Sequence, residues 1–132
     1  MIYNSVRYPS ILILAFCLIT CMSNMAMAQD KRVIRIAKIK IDEAYIDAYK
    51  AAVREQIETA VKIEPGVLTL YAVHDKQAPA NVTVFEIYAD TAAYQSHIQT
   101  AHFKKYKTST AHMVKALELV DVSAIALAAK NK

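Results

Sequence analysis

The chain has one glycine, no tryptophan and two cysteines in 132 residues, and each scarcity closes off some chemistry. A single glycine, Gly66, cannot build a GxGxxG turn or a phosphate-cradling loop, because both need several residues of free backbone. No Gly-x-Ser-x-Gly elbow is present, which removes the strained nucleophile that such a turn supports. Both cysteines, Cys17 and Cys21, lie in an apolar N-terminal segment. The rest of the chain therefore has no disulfide, thiolate nucleophile or cysteine metal site. A concentrated basic patch is missing too. The net charge of +4 is spread over stretches such as KRVIRIAKIK and HFKKYK. Solvated surface charge accounts for that pattern, and no nucleic-acid partner is expected.

The first 28 residues read as an export signal. Arg7 is their only charged residue, and ILILAFCLITC falls short of the roughly 20 apolar residues that span a bilayer. Ala26-Met27-Ala28 then supplies the small-x-small pattern of a cleavage site. The expected mature protein runs from Gln29 to Lys132, in the periplasm or outside the cell, and its core covers about residues 33–122. A retained anchor is one alternative. A lipoprotein at Cys21 is another, although Thr20 stands where such motifs carry a smaller residue. No membrane association is expected unless Cys21 is lipidated. A mature chain of roughly 100 residues is enough for one small domain and not for two.

Periodicity gives the element order. VIRIAKIKI (33–41) alternates apolar and charged residues as a strand does. Asp42 offers an N-cap, and Tyr45/Ile46, Tyr49, Val53, Ile57 and Ala60/Val61 then recur at helical spacing to about Lys62. Glu64-Pro65-Gly66 ends that helix, with Gly66 free to take a positive φ. VLTLYAVHD (67–75) and NVTVFEIYA (81–89) read as antiparallel strands joined by a loop of hairpin length. Asp90-Thr91 caps a second helix over about 91–107, and KALELVDV (115–122) is the last strand. The order βαββαβ predicts an α+β, ferredoxin-like sandwich. One sheet face packs on the two helices. The other is apolar enough to need a cover, which a homodimer would supply.

AAYQSHIQTAHFKKY (92–106) holds the most informative pair, His97 and His102. On one regular helix residues five apart point about 140° from each other, so the pair cannot grip one ion unaided. No metal is expected on that ground.

EPGVLTLYAVHD, Pro79, VFEIYAD, AAYQSH and TAHFKKY together resemble the antibiotic-biosynthesis monooxygenase domain, and within it the quinol-monooxygenase-like branch. The resemblance covers about residues 33–122. It implies a dimeric α/β barrel built from two ferredoxin-like subunits. It also implies oxidation of a small dihydroxy-aromatic substrate by O2 with no cofactor. A related isomerase or lyase acting on an enediol-type substrate is an alternative, as is a non-catalytic dimer that binds a small ligand. Haem-degrading relatives carry a tryptophan roughly where His97 stands and their axial histidine near Lys107. The chain has no tryptophan, which argues against haem.

The candidate catalytic residues are His97 and His102. His97 borders the buried face of its helix and is read either as a general base or as a partly buried structural histidine. His102, expected near the helix C-terminus, is read as a group at the pocket mouth or as surface. Tyr71, Phe85, Glu86 and Phe103 are the candidate substrate-binding residues. Glu86 shares a strand face with Val84 and Tyr88, where a buried carboxylate needs a partner. An interface salt bridge is its competing reading. Tyr71 and Phe85 compete with ordinary core roles. His74 and His112 are read as surface, and Tyr45 and Tyr49 as core.

Overall fold

A computed structural model describes residues 30–130. The export-signal reading, including Cys17, Cys21 and the cleavage site after Ala28, lies outside them.

Strand β1 (Val33–Ile41) sits at the centre of a four-stranded sheet. Helix α1 (Ile46–Ile63) follows after a short 3-10 turn (Glu43–Tyr45), and the Asp42 carboxylate accepts from the amide of Ala44 at that turn. Strands β2 (Val67–His74) and β3 (Asn81–Tyr88) come next. Helices α2 (Thr91–His97) and α3 (Ala101–Thr110) lead through a second 3-10 turn (Ala111–Met113) to β4 (Val114–Val122). The sheet order is β2-β3-β1-β4 with every pair antiparallel, which is the ferredoxin-like arrangement expected.

Alternation along each strand divides the sheet into an inner and an outer face. Ala37, Ile39 and Ile41 of β1 and Val82, Val84 and Tyr88 of β3 point inward and are buried. Helix α1 lays Tyr49, Val53, Gln56 and Ala60 on them, a stripe at intervals of four, three and four residues. Gln56 is the only polar member of that stripe. On β2, Leu68 is the extra residue of a register shift between Val67 and Thr69, and this restores Leu70 to the inner face opposite Glu86. Leu117 and Leu119 of β4 pair with Ile39 and Ala37 but remain about half exposed, because no helix covers that edge fully.

Three local expectations need correction. Gly66 does not take a positive φ. It is required instead by a close approach, since a Cβ there would stand 2.5 Å from the Cβ of Ala93. Tyr45 is exposed and meets His112 edge-on, so only Tyr49 of that pair belongs to the core. The expected single helix over 91–107 is two. The backbone tightens to 3-10 bonds at Gln99→Ser96 and Thr100→His97, and Thr100 then turns extended, with φ −64° and ψ 152°. Its hydroxyl donates to the His97 carbonyl at 2.7 Å and accepts from the amide of Phe103, capping a new helix in a new direction.

Candidate active site

The helix break changes what the two histidines can do. His102 falls in the first turn of α3 rather than near a helix C-terminus. His97 ends α2 with its side chain only 2% exposed. Both rings converge on Glu64, the residue that follows α1. One carboxylate oxygen, Oε1, lies 2.9 Å from His97 Nδ1 and 2.6 Å from His102 Nε2. The other ring nitrogen of His97, Nε2, is 3.2 Å from the Gln56 side-chain nitrogen.

These contacts fix the tautomer. A carboxylate can only accept, so Nδ1 of His97 carries the hydrogen, and its bare Nε2 accepts from the Gln56 amide. Nε2 of His102 likewise donates to Glu64. Burial pushes the His97 imidazole below its ordinary pKa, outweighing the Glu64 carboxylate that favours the charged ring. Among the described residues no buried side-chain polar atom lacks a partner.

His97 and its Nε2 partner Gln56 line a cavity of about 90 Å³ between the inner sheet face and helices α1–α3, whereas the Nδ1 partner Glu64 does not. Its floor is apolar: Ala37, Ile39, Leu70, Val84, Leu117 and Leu119. Polar groups enter at separate points. Glu86 rises from β3, and its Oε2 accepts from the Tyr88 hydroxyl at 3.0 Å. Burial raises the Glu86 carboxyl pKa, opposed by the Tyr88 hydrogen bond and by the charges of Arg35 and Lys107. Arg35, the cross-strand neighbour of Glu86, bonds Asp121 at 2.7 Å and covers the Tyr94 ring at 4.4 Å. Phe103 stands edge-on to His97 with ring centres 4.9 Å apart. Tyr106 and Lys107 close the side of the cavity, and the Tyr106 hydroxyl is 2.5 Å from that of Tyr49.

The structure thus brings His97, Glu86 and Phe103 to one cavity, and leaves the other three sequence candidates outside it. Tyr71 and Phe85 are cross-strand partners whose neighbours, Leu70 with Glu86 and Ala72 with Val84, face inward. Both therefore lie on the outer sheet face, where Tyr71 is 64% exposed. His102 does not line that cavity and opens onto a separate small groove with Glu55 and Lys105. His74 and His112 are on the surface as expected.

Sequence reasoning missed Gln56, Glu64, Arg35, Tyr106 and Lys107. A signal existed for Gln56, which is polar at a core position of α1. Glu64 stood in the Glu-Pro-Gly stretch that carries the family resemblance, but its place beside two histidines depends on where the chain turns at Thr100. The geometric ground for excluding a metal also falls. The two rings share a broken helix, and Glu64 supplies a third donor, with all three ligand atoms within 4.8 Å of one another.

A family model described as antibiotic biosynthesis monooxygenase matches residues 32–109. Among solved structures, a Bacteroides thetaiotaomicron protein named provisionally as an antibiotic biosynthesis monooxygenase is 48% identical, with a TM-score of 0.74. That match covers 77% of this chain and 97% of the other. A Lactobacillus acidophilus protein, named provisionally as a monooxygenase, is 30% identical with a TM-score of 0.67. It matches 70% of this chain but only 44% of its own length. A Nitrosomonas europaea structure at 19% identity and TM-score 0.69 shares the fold. No protein of curated function gives a significant match.

Proposed function

Because the chain belongs to the antibiotic biosynthesis monooxygenase family, we propose that it is an exported, homodimeric enzyme that oxidises quinols or related dihydroxy-aromatic compounds with O2 and no cofactor. One observation carries this reading. A buried imidazole with a lowered pKa lines a cavity with an apolar floor; its Nδ1–H is held by a carboxylate, and its unprotonated Nε2 accepts from Gln56, another lining residue. A base oriented by a third group in this way is the arrangement that proton abstraction needs.

A substrate hydroxyl takes the place of the Gln56 amide at Nε2 and gives up its proton there. The imidazolium so formed is stabilised by the Glu64 carboxylate through Nδ1. The phenolate is a far better reductant than the phenol and passes one electron to O2. Recombination of the two radicals forms a C–O bond on the ring, and O–O cleavage then releases water. For a simple hydroquinone the sum is hydroquinone plus O2 giving hydroxyquinone plus water. The substrate supplies all four electrons, so no external reductant enters. Arg35 and Lys107 lie where they stabilise the phenolate. Glu86 offers a hydrogen bond to a second substrate oxygen, and Phe103 packs on the ring.

The homodimer reading is supported by the outer sheet face. Tyr71 and Val73 are 64% and 61% exposed there, and Phe85 lies beside Tyr71. Stable obligate interfaces commonly bury about 2,000 Å² or more, which a sheet face can provide.

The test is oxygen uptake by the purified, chelator-treated mature protein against a panel of hydroquinones and anthrols. Uptake above the uncatalysed rate, lost in His97→Gln, is expected. Tight binding of the same compounds with no uptake would mark the protein as a binding module.

A further inference from the structure

We propose that Glu64, His97 and His102 form a binding site for a divalent transition-metal ion on the side of His97 away from the cavity, and that its occupancy converts the cavity-facing Nε2 from a proton acceptor to a donor. The second half of this inference rests on the base role proposed for His97; the first does not.

The donor set is two imidazole nitrogens and one carboxylate, a combination that suits zinc and its late first-row neighbours. Three stretches of chain meet to make it: the turn after α1, the end of α2, and the first turn of α3. His97 Nδ1 and His102 Nε2 lie 2.9 and 2.6 Å from Glu64 Oε1. Ligand atoms around a tetrahedral ion with bonds of about 2.1 Å stand roughly 3.4 Å apart. The two contacts to Glu64 therefore need to lengthen by less than about 1 Å, and the two ring nitrogens, within 4.8 Å of each other, need to close by at most about 1.4 Å. Glu64 and His102 keep 12% and 16% of their side-chain surface exposed, which gives an ion a route from solvent. A single carboxylate charge faces the cation.

Binding requires no net loss of protons. Each imidazole can move its hydrogen from the metal-facing nitrogen to the other one. For His102 that other nitrogen is Nδ1, on a ring that retains solvent access. For His97 it is Nε2, and the neighbouring Gln56 amide can rotate to present its oxygen instead of its nitrogen. This is the source of the functional consequence. A metal on Nδ1 leaves Nε2 carrying a hydrogen toward the cavity, and a protonated Nε2 cannot take one from a substrate hydroxyl.

The experiment uses the mature protein after chelator treatment, titrated with Co2+ and followed by its visible d–d absorption, with Zn2+ as competitor. The expected result is saturable binding of one Co2+ per chain, displaced by Zn2+ and accompanied by a rise in Tm. His102→Ala and Glu64→Gln should each weaken binding by at least about 100-fold, since even outer-shell partners of metal ligands are worth about 10–100-fold. His74→Ala and His112→Ala, on the exposed surface, should leave it unchanged. Absence of saturable binding, or binding equal in wild type and His102→Ala, overturns the site. The switch has its own readout: Zn2+ should suppress quinol oxidation by the wild type, and chelator should restore it. Turnover that rises with metal overturns both the switch and the cofactor-free reading. Metal binding by a protein that oxidises no quinol under any condition upholds the site and removes the proposed activity.

Discussion

Nδ1 of His97 lies 2.9 Å from Oε1 of Glu64, and that contact decides which edge of the imidazole faces the cavity. Nε2 is left as the acceptor, beside Gln56 and the apolar floor.

Removing the imidazole should remove the base. In His97→Gln, turnover should fall by about 10²–10⁴-fold, the usual worth of a general base. The substitution also takes from Gln56 its His97 partner, while Glu64 keeps His102, and a buried group left unmet costs about 1–3 kcal/mol. Rates should therefore be compared at a temperature where circular dichroism shows both proteins folded. An unchanged rate in the folded variant would reduce His97 to scaffold.

Gly66 should tolerate no side chain. A Cβ there meets the Ala93 Cβ at 2.5 Å, and both belong to backbone segments that cannot swing aside. Gly66→Ala should destabilise by about 1–3 kcal/mol, as overpacking does. Adding Ala93→Gly should recover most of the loss. A double-mutant cycle in urea reads the coupling directly, and additive effects would show that the contact is not the cause.

Glu86 should make stability depend on pH in a defined direction. Its carboxyl is raised by burial, so the folded state holds the proton more tightly than the unfolded chain. The stabilisation from this group is fully present below the unfolded carboxylate value of about 4.3 and fades as pH rises through the higher folded value. Glu86→Gln removes that penalty. The variant should gain in Tm relative to wild type on going from about pH 4 to about pH 8. A gap that narrows or stays constant over this range would show that the carboxylate is stabilised, not penalised, by its site.

The outer sheet face should fail as an interface when charged. Tyr71→Asp is expected to shift the protein from dimer to monomer in sedimentation velocity, because Tyr71 is exposed and lies beside Phe85. A monomeric wild type at micromolar concentration would remove the dimer from the account.

Strand parity and helix period make the fold legible in the sequence. The alternation in VIRIAKIKI and the stripe from Tyr49 to Ala60 each carry several residues of redundant signal. The site carried less. Adjacent strand residues point to opposite faces, so Phe85 and Glu86 could not both line one cavity, and Glu86 does. Tyr71 fell on the wrong side for the same reason, its face being set by the bulge at Leu68. The larger miss lay at Thr100. Tyr94, Ile98 and Ala101 keep helical spacing through the break, and only the capping hydroxyl marks it. Without that break His97 and His102 diverge; with it they meet on Glu64. A contact made by three separate segments leaves no periodic trace in a sequence.

The central claim is that the protein inserts one atom of O2 into a quinol without help from a metal or cofactor. Incubating the chelator-treated protein with a hydroquinone under 18O2 and weighing the product tests it most directly. The account predicts one 18O atom in the hydroxyquinone, the other in water, and loss of both in His97→Gln. Product that carries no 18O, with hydrogen peroxide formed in equal amount or no turnover at all, would contradict it.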